Sequence, residues 1–212
     1  RPGGAGNVAL NIAALGAGAR LIAVTGKDEA AQSLTSSLNA AGIACDFIQS
    51  DDSPTITKLR VISRHQQLIR LDFEEDFVEL DPDELLEHFS VALNHASVVV
   101  LSDYNKGCLQ DHQALILAAK EKGIPVLADP KGHDFSKYKG ATLLTPNLSE
   151  FEAVVGKCET EDVLVSRGIA LLEELELEAL LVTRGERGMT LLRSGLPELH
   201  LPARAREVFD VT

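Results

Sequence analysis

Apolar residues recur at helical spacing at Val8, Ile12 and Leu15, predicting a helix over Asn7 to Leu15, and the run Leu21-Ile22-Ala23-Val24 predicts a buried strand after it. A second helix is expected over Glu29 to Ala41, ending at Gly42. The period then changes to two: Thr55 to Ile62 and Gln67 to Leu71 alternate around a turn near Arg64-His65, the pattern of a hairpin with one wet face. From Pro82 onward helical patterns alternate with short apolar runs, Ser97 to Leu101, Pro125 to Ala128, Thr142 to Leu144 and Ala179 to Thr183. That order implies a parallel sheet with helices on both faces, from whose edge the hairpin projects. Ligands of such sheets gather at the carboxyl ends of strands, where Asp103, Asp129, Asn147 and Arg184 fall.

At 212 residues, the chain is long enough for one good core and predicts one domain or most of one. Twenty Lys and Arg against thirty-two Asp and Glu give a net charge of −12, which argues against nucleic acid and anionic lipid as partners. Any phosphate must therefore be held by local donors. Cys45, Cys108 and Cys158 lie far apart without a C-x-x-C pair or histidines at metal spacing, so core filling in a reduced, cytoplasmic setting is the expectation. No apolar stretch approaches the roughly 20 residues of a membrane span.

Three clusters carry candidate chemistry: Arg1-Pro2-Gly3-Gly4-Ala5-Gly6-Asn7, Thr145-Pro146-Asn147-Leu148-Ser149-Glu150 and Thr183-Arg184-Gly185-Glu186-Arg187-Gly188. In the first, glycines let a polyol approach the backbone while Asn7 offers a donor and an acceptor to vicinal hydroxyls. The same residues match the loose dinucleotide form G-x-G-x-x-A, with Asp28 near the distance of a ribose-binding acid. An NAD-binding oxidoreductase is therefore a competing class. Asp28 equally suits a helix cap before Glu29.

In the middle cluster, Pro146 stops a strand and Asn147 opens a helix whose backbone N–H groups suit a phosphate. Glu150 could hold a hydrated Mg²⁺ between phosphate oxygens, or it could reach back to the helix start in a capping box with Asn147. Lys106 and Lys131 each sit just beyond a strand end, either as solvated charges or facing a phosphorylated ligand. No G-x-x-x-x-G-K-[ST] loop exists, which excludes the P-loop class.

The glycine cluster, the Asn147–Glu150 helix start and the Thr183–Gly188 turn resemble the ribokinase-like (PfkB) carbohydrate kinases. The stretches from Pro54 to Val61, from His65 to Glu74 and from Lys139 to Phe151 are similar, more narrowly, to the kinase half of the bifunctional heptose 7-phosphate kinase/heptose 1-phosphate adenylyltransferase family. That resemblance implies a three-layer αβα sandwich with a mostly parallel sheet and a hairpin lid at about 53–73. It also implies ATP-dependent, Mg²⁺-assisted phosphorylation of the anomeric hydroxyl of D-glycero-D-manno-heptose 7-phosphate for ADP-heptose and lipopolysaccharide core synthesis. Asn147, Leu148, Ser149, Glu150, Thr183, Gly185 and Gly188 would face ATP, with Glu150 reaching the metal through water. Gly3, Gly4 and Asn7 would seat the sugar. Lys106, Lys131, Arg60 and Arg70 are candidates for its 7-phosphate, although solvated strand faces or dimer salt bridges are the favoured reading of Arg60 and Arg70, since exposed arginines on a hairpin seldom bind a ligand. The lid would close over the sugar and pair two subunits as a homodimer.

In the family, Asp-Val-Thr precedes a Gly-x-Gly-Asp motif whose Asp is the general base. Here the sequence stops at Asp210-Val211-Thr212. The expectation is a partial kinase domain, incomplete at both ends, without the adenylyltransferase domain, with no catalytic residue of its own and nearly inactive. Another ribokinase-like sugar kinase and a non-catalytic interaction module are further readings.

Overall fold

The structure, a computed structural model, describes residues 1–63, 66–73 and 81–203. The expected turn at Arg64-His65 and the terminal Asp210-Val211-Thr212 lie outside the described residues. The chain forms two compact units, residues 1–94 with 105–110, and residues 95–104 with 111–212.

The first unit contains α1 (Gly4–Ala14), β1 (Arg20–Gly26), α2 (Glu29–Ala40), β2 (Ala44–Ser50), β3 (Thr57–Ser63), β4 (Gln66–Phe73) and α3 (Pro82–Leu93). β1 and β2 pair in parallel from Arg20↔Ala44 to Gly26↔Ser50. Ala9 of α1, Leu38 of α2 and Ile43 form the buried cluster beside this pair, with Leu10, Leu34 and Phe47 packed against it. α1 begins three residues earlier than the apolar spacing predicts, and Gly6 within it rests on Pro2: a Cβ there would lie 2.7 Å from the proline Cβ. Leu21 to Val24 are half-buried rather than buried.

β3 and β4 form the expected hairpin as a separate antiparallel sheet. Leu59↔Leu71 and Val61↔Ile69 share one face and Arg60↔Arg70 the other, as the two-residue period requires. The expectation of a single wet face fails within this chain. Leu59, Val61, Ile69, Leu71 and Phe73 are 41–54% exposed, because no other described element of this unit covers the apolar face.

The second unit contains β5 (Val99–Ser102), α4 (His112–Glu121), β6 (Val126–Asp129), β7 (Leu143–Leu144), α5 (Leu148–Val155), α6 (Glu161–Glu174), β8 (Ala179–Thr183), β9 (Met189–Arg193) and β10 (Leu199–Leu201). Its sheet runs β10-β9-β8-β7-β6-β5, with β5 to β8 parallel and β9 and β10 antiparallel. β2, β9 and β10 are additions to the sequence-based expectation. Leu144, Leu180, Val182 and Leu192 on the strands and Phe151 on α5 are fully buried. At about 1.5–3 kcal/mol for each such side chain, this apolar interior fixes the strand ends that carry the polar residues.

Candidate functional site

At the carboxyl ends of β6, β7 and β8, the second unit brings two distant parts of the sequence side by side. Asn147 bridges in parallel to Thr183, and the Thr183 N–H donates to the Pro146 carbonyl at 2.9 Å. The helix start at Asn147–Glu150 and the glycine turn at Thr183–Gly188 are therefore neighbours. Asn147 caps α5: its side chain accepts from the Glu150 N–H at 2.9 Å, and Glu150 Oε2 accepts from the Asn147 N–H at 3.1 Å. The capping alternative is realised in full, which aims Glu150 back over the helix start.

Lys131, two residues beyond β6, donates to Glu150 Oε1 at 3.0 Å. That hydrogen bond, with the charge of Glu150, raises the lysine pKa and keeps its ammonium protonated. Burial, followed by the nearby Glu150 charge, raises the pKa of Asp129 at the end of β6. A cation beside exposed helix-start amides is what a polyanionic phosphate chain requires.

The turn after β8 is closed by the Arg184 N–H donating to the Gly188 carbonyl at 2.8 Å. Gly185 and Gly188 have φ of 60° and 82°, the left-handed region that glycine tolerates. At Gly188 a side chain is also barred by space, since a Cβ would lie 2.0 Å from the Leu201 carbonyl oxygen. The Arg184 guanidinium pairs with Glu161 at the start of α6 and donates to Thr190 Oγ1 at 3.1 Å.

The remaining candidates belong to the first unit. Gly3 is the N-cap of α1 and supplies no side-chain acceptor, leaving the first-turn amides without a capping group; Asn7 is exposed. Arg60 lies opposite Arg70 on the polar face of the hairpin, and Arg70 makes a two-point contact with Asp72 at 3.0 and 2.9 Å. Lys106 follows Asn105, whose φ is 53°. Asp28 caps α2, and its carboxylate takes the N–H groups of Ala31 and Thr55 and the Thr55 hydroxyl, each at 2.8 Å. Both oxygens are thereby committed to structure, which removes the acid that ribose recognition would use.

A family profile described as pfkB family carbohydrate kinase matches residues 1–212. The chain belongs to the pfkB family of carbohydrate kinases. Within it, the chain is 66% identical over 212 residues to the bifunctional protein HldE of Hahella chejuensis and 67% identical to that of Pseudomonas entomophila. All of this chain but only 44 and 45% of those proteins is covered, so it spans less than half the length of these curated relatives. Among solved structures, Arabidopsis thaliana ribokinase complexed with ribose and ATP aligns with a TM-score of 0.79 at 22% identity, over 99% of this chain and 70% of that one. The tetrameric inhibited form of Escherichia coli phosphofructokinase-2 aligns with a TM-score of 0.77 at 21% identity, over 98 and 70%. These similarities establish the ribokinase-like α/β fold with its mostly parallel sheet.

Among the described residues, no group of three or more His, Cys, Asp or Glu is placed to hold a metal. Sequence reasoning placed Asp103 at a strand end but missed its partners, the buried His112 and Tyr138 and the half-buried Lys137. No local motif marks them, since they lie 9, 34 and 35 residues from Asp103. Among the described residues, no helix is long and apolar enough to cross a membrane.

Proposed function

We propose that this chain supplies the nucleotide and sugar surfaces of an ATP-dependent kinase that phosphorylates the anomeric hydroxyl of D-glycero-D-manno-heptose 7-phosphate to the 1,7-bisphosphate, in cytoplasmic ADP-heptose synthesis. The observation that carries the reading is the adjacency of the α5 start, Lys131 and the Thr183–Gly188 turn at the carboxyl ends of neighbouring strands. High identity to the HldE proteins supports the substrate class.

In this reading the amides opening α5 at Leu148 and Ser149 receive phosphate oxygens, the Glu150 N–H being held by the Asn147 side chain, and Lys131 balances their charge. The turn from Thr183 through Gly185 to Gly188 forms the wall on the nucleotide side. Bound Mg²⁺ would neutralise charge between phosphate oxygens, with Glu150 orienting its water. Gly3, Gly4 and Asn7 address the sugar hydroxyls. Arg60 and Arg70, directly opposite each other on the polar face, address the 7-phosphate with Lys106 as a further donor, Arg70 while held by its two-point contact with Asp72.

The hairpin at 53–73 acts as the lid, and its exposed apolar face docks a second copy of the chain. Mutual burial would remove from water the apolar face that this chain leaves open. Residues 1–212 form part of a ribokinase-like kinase domain in this reading.

Differential thermal denaturation with ATP–Mg²⁺, heptose 7-phosphate or NAD tests the reading. A ligand at about 100 times its Kd adds roughly 2.7 kcal/mol to the folded state. Stabilisation by ATP–Mg²⁺ and by the sugar phosphate is expected. A response to NAD alone would overturn the kinase in favour of the oxidoreductase.

A further inference from the structure

Asp103, directly after β5, is 4% exposed. One of its oxygens, Oδ2, accepts from Tyr138 Oη at 2.6 Å, Lys137 Nζ at 2.7 Å and His112 Nε2 at 2.9 Å. Tyr138 is fully buried, and its ring meets the edge of His112 at a centroid distance of 5.1 Å. The Tyr138 hydroxyl also accepts from the backbone N–H of Lys131 at 3.1 Å. An N–H can only donate, so the phenolic proton must point to Asp103. Burial, then the bond to Asp103, holds the phenol protonated well above its ordinary range, so this direction persists at every working pH. A single ordered path therefore runs from the Asp103 carboxylate through the Tyr138 hydroxyl to the Lys131 backbone, and from the Lys131 ammonium to Glu150.

We infer that Asp103 and Tyr138 are positioning residues for the phosphate-facing pair Lys131–Glu150, acting through the backbone of the loop that follows β6. The inference rests on the nucleotide reading of that pair. Asp129-Pro130-Lys131-Gly132 has no regular structure beyond Asp129, and a loop of this kind keeps its place only through such cross-bonds. Three donors on one buried oxygen form a hub far more rigid than an exposed ion pair, and its rigidity is handed to a lysine whose side chain is 52% exposed.

The decisive variant is Tyr138→Phe, which keeps the ring and removes only the hydroxyl. Two measurements on the chain are needed: amide hydrogen exchange at Lys131 read by NMR, and ATP–Mg²⁺ affinity read by titration calorimetry. Tyr138→Phe should speed exchange at Lys131 by about tenfold or more, leave the β8 amides unchanged, and weaken ATP–Mg²⁺ binding by about five- to twentyfold. Lys131→Ala should weaken binding similarly, and the double variant should be little worse than either single one, because both act through one lysine. Asp103→Asn retains an acceptor for Tyr138 and should restrict both effects to about twofold. Unchanged Lys131 exchange, or additive losses in the double variant, would overturn the inference. Failure of the unaltered chain to bind ATP–Mg²⁺ would instead overturn the nucleotide reading on which it rests.

Discussion

Asp28 and Thr55 are joined twice, the carboxylate accepting both the backbone N–H and the hydroxyl of Thr55 at 2.8 Å. The same carboxylate caps α2, so one side chain fastens the start of a helix to the start of the hairpin. These bonds, that to the Thr55 backbone foremost, lower the Asp28 pKa below its ordinary 3.8. Since the folded value is the lower one, the stabilisation is complete above about pH 4 and is lost as the pH falls through the folded value. Asp28→Ala should cost about 1–2 kcal/mol at neutral pH and flatten the acid limb of the stability profile. Urea denaturation between pH 2 and pH 7 measures both; an unchanged acid limb would refute the assignment.

α6 lies on the sheet at Gly168. A Cβ there would fall 2.2 Å from Leu192 Cδ1 and 3.5 Å from Leu180 Cδ2, and both leucines are fully buried. Gly168→Ala gains up to about 1 kcal/mol of helix propensity but incurs about 1–3 kcal/mol of overpacking. The melting temperature should fall, and Leu192→Val in the same chain should recover part of the loss. A rise in melting temperature for Gly168→Ala alone would show that Leu192 yields freely.

The side chain of Arg184 is 7% exposed and meets Glu161, which is 53% exposed. The bond to Arg184 is the largest cause of the lowered Glu161 pKa. Solvent screening on the glutamate side keeps the pair itself near 1 kcal/mol, but a buried guanidinium without it loses more. Glu161→Gln should therefore reduce stability by about 1–3 kcal/mol and loosen the turn that follows β8. Loss of ATP–Mg²⁺ affinity alongside the denaturation shift would tie this clamp to the nucleotide side; a stability loss with affinity intact would confine it to structure.

The sequence made the parallel strands legible because each is a short apolar run ending at a polar residue, as Val126 to Asp129 shows. Helix starts were readable from their caps, Asp28 and Asn147 among them, since capping is local chemistry. β2 was harder to recognise because Asp46 interrupts its apolar pattern; there His88 meets the aspartate at 2.8 Å, a partner 42 residues away. The same distance effect hid the Asp103 hub, whose hydrogen-bond partners lie 9, 34 and 35 residues on. In the nucleotide region, segment identity was readable, but the Lys131–Glu150 contact was not. It spans 19 residues and two strand ends, and only the folded sheet sets its distance.

The hairpin provides the last prediction. Leu71 lies directly opposite Leu59 on the apolar face, 44 and 47% exposed respectively. Burying such a face against a second copy would remove from water several side chains worth about 1.5–3 kcal/mol each when fully covered, while a charge placed there would face desolvation without a partner. Leu71→Glu should shift the chain to monomer in sedimentation equilibrium and leave its melting temperature at low concentration within about 0.5 kcal/mol equivalent of the parent, because the position is exposed in the single chain. Arg60→Ala, on the opposite face, should leave the association unchanged and weaken sugar-phosphate binding instead. If Leu71→Glu sediments as the parent does, the pairing of copies through this face is wrong. If Arg60→Ala alone dissociates the assembly, the polar face is the interface and the arginines serve the dimer rather than the 7-phosphate.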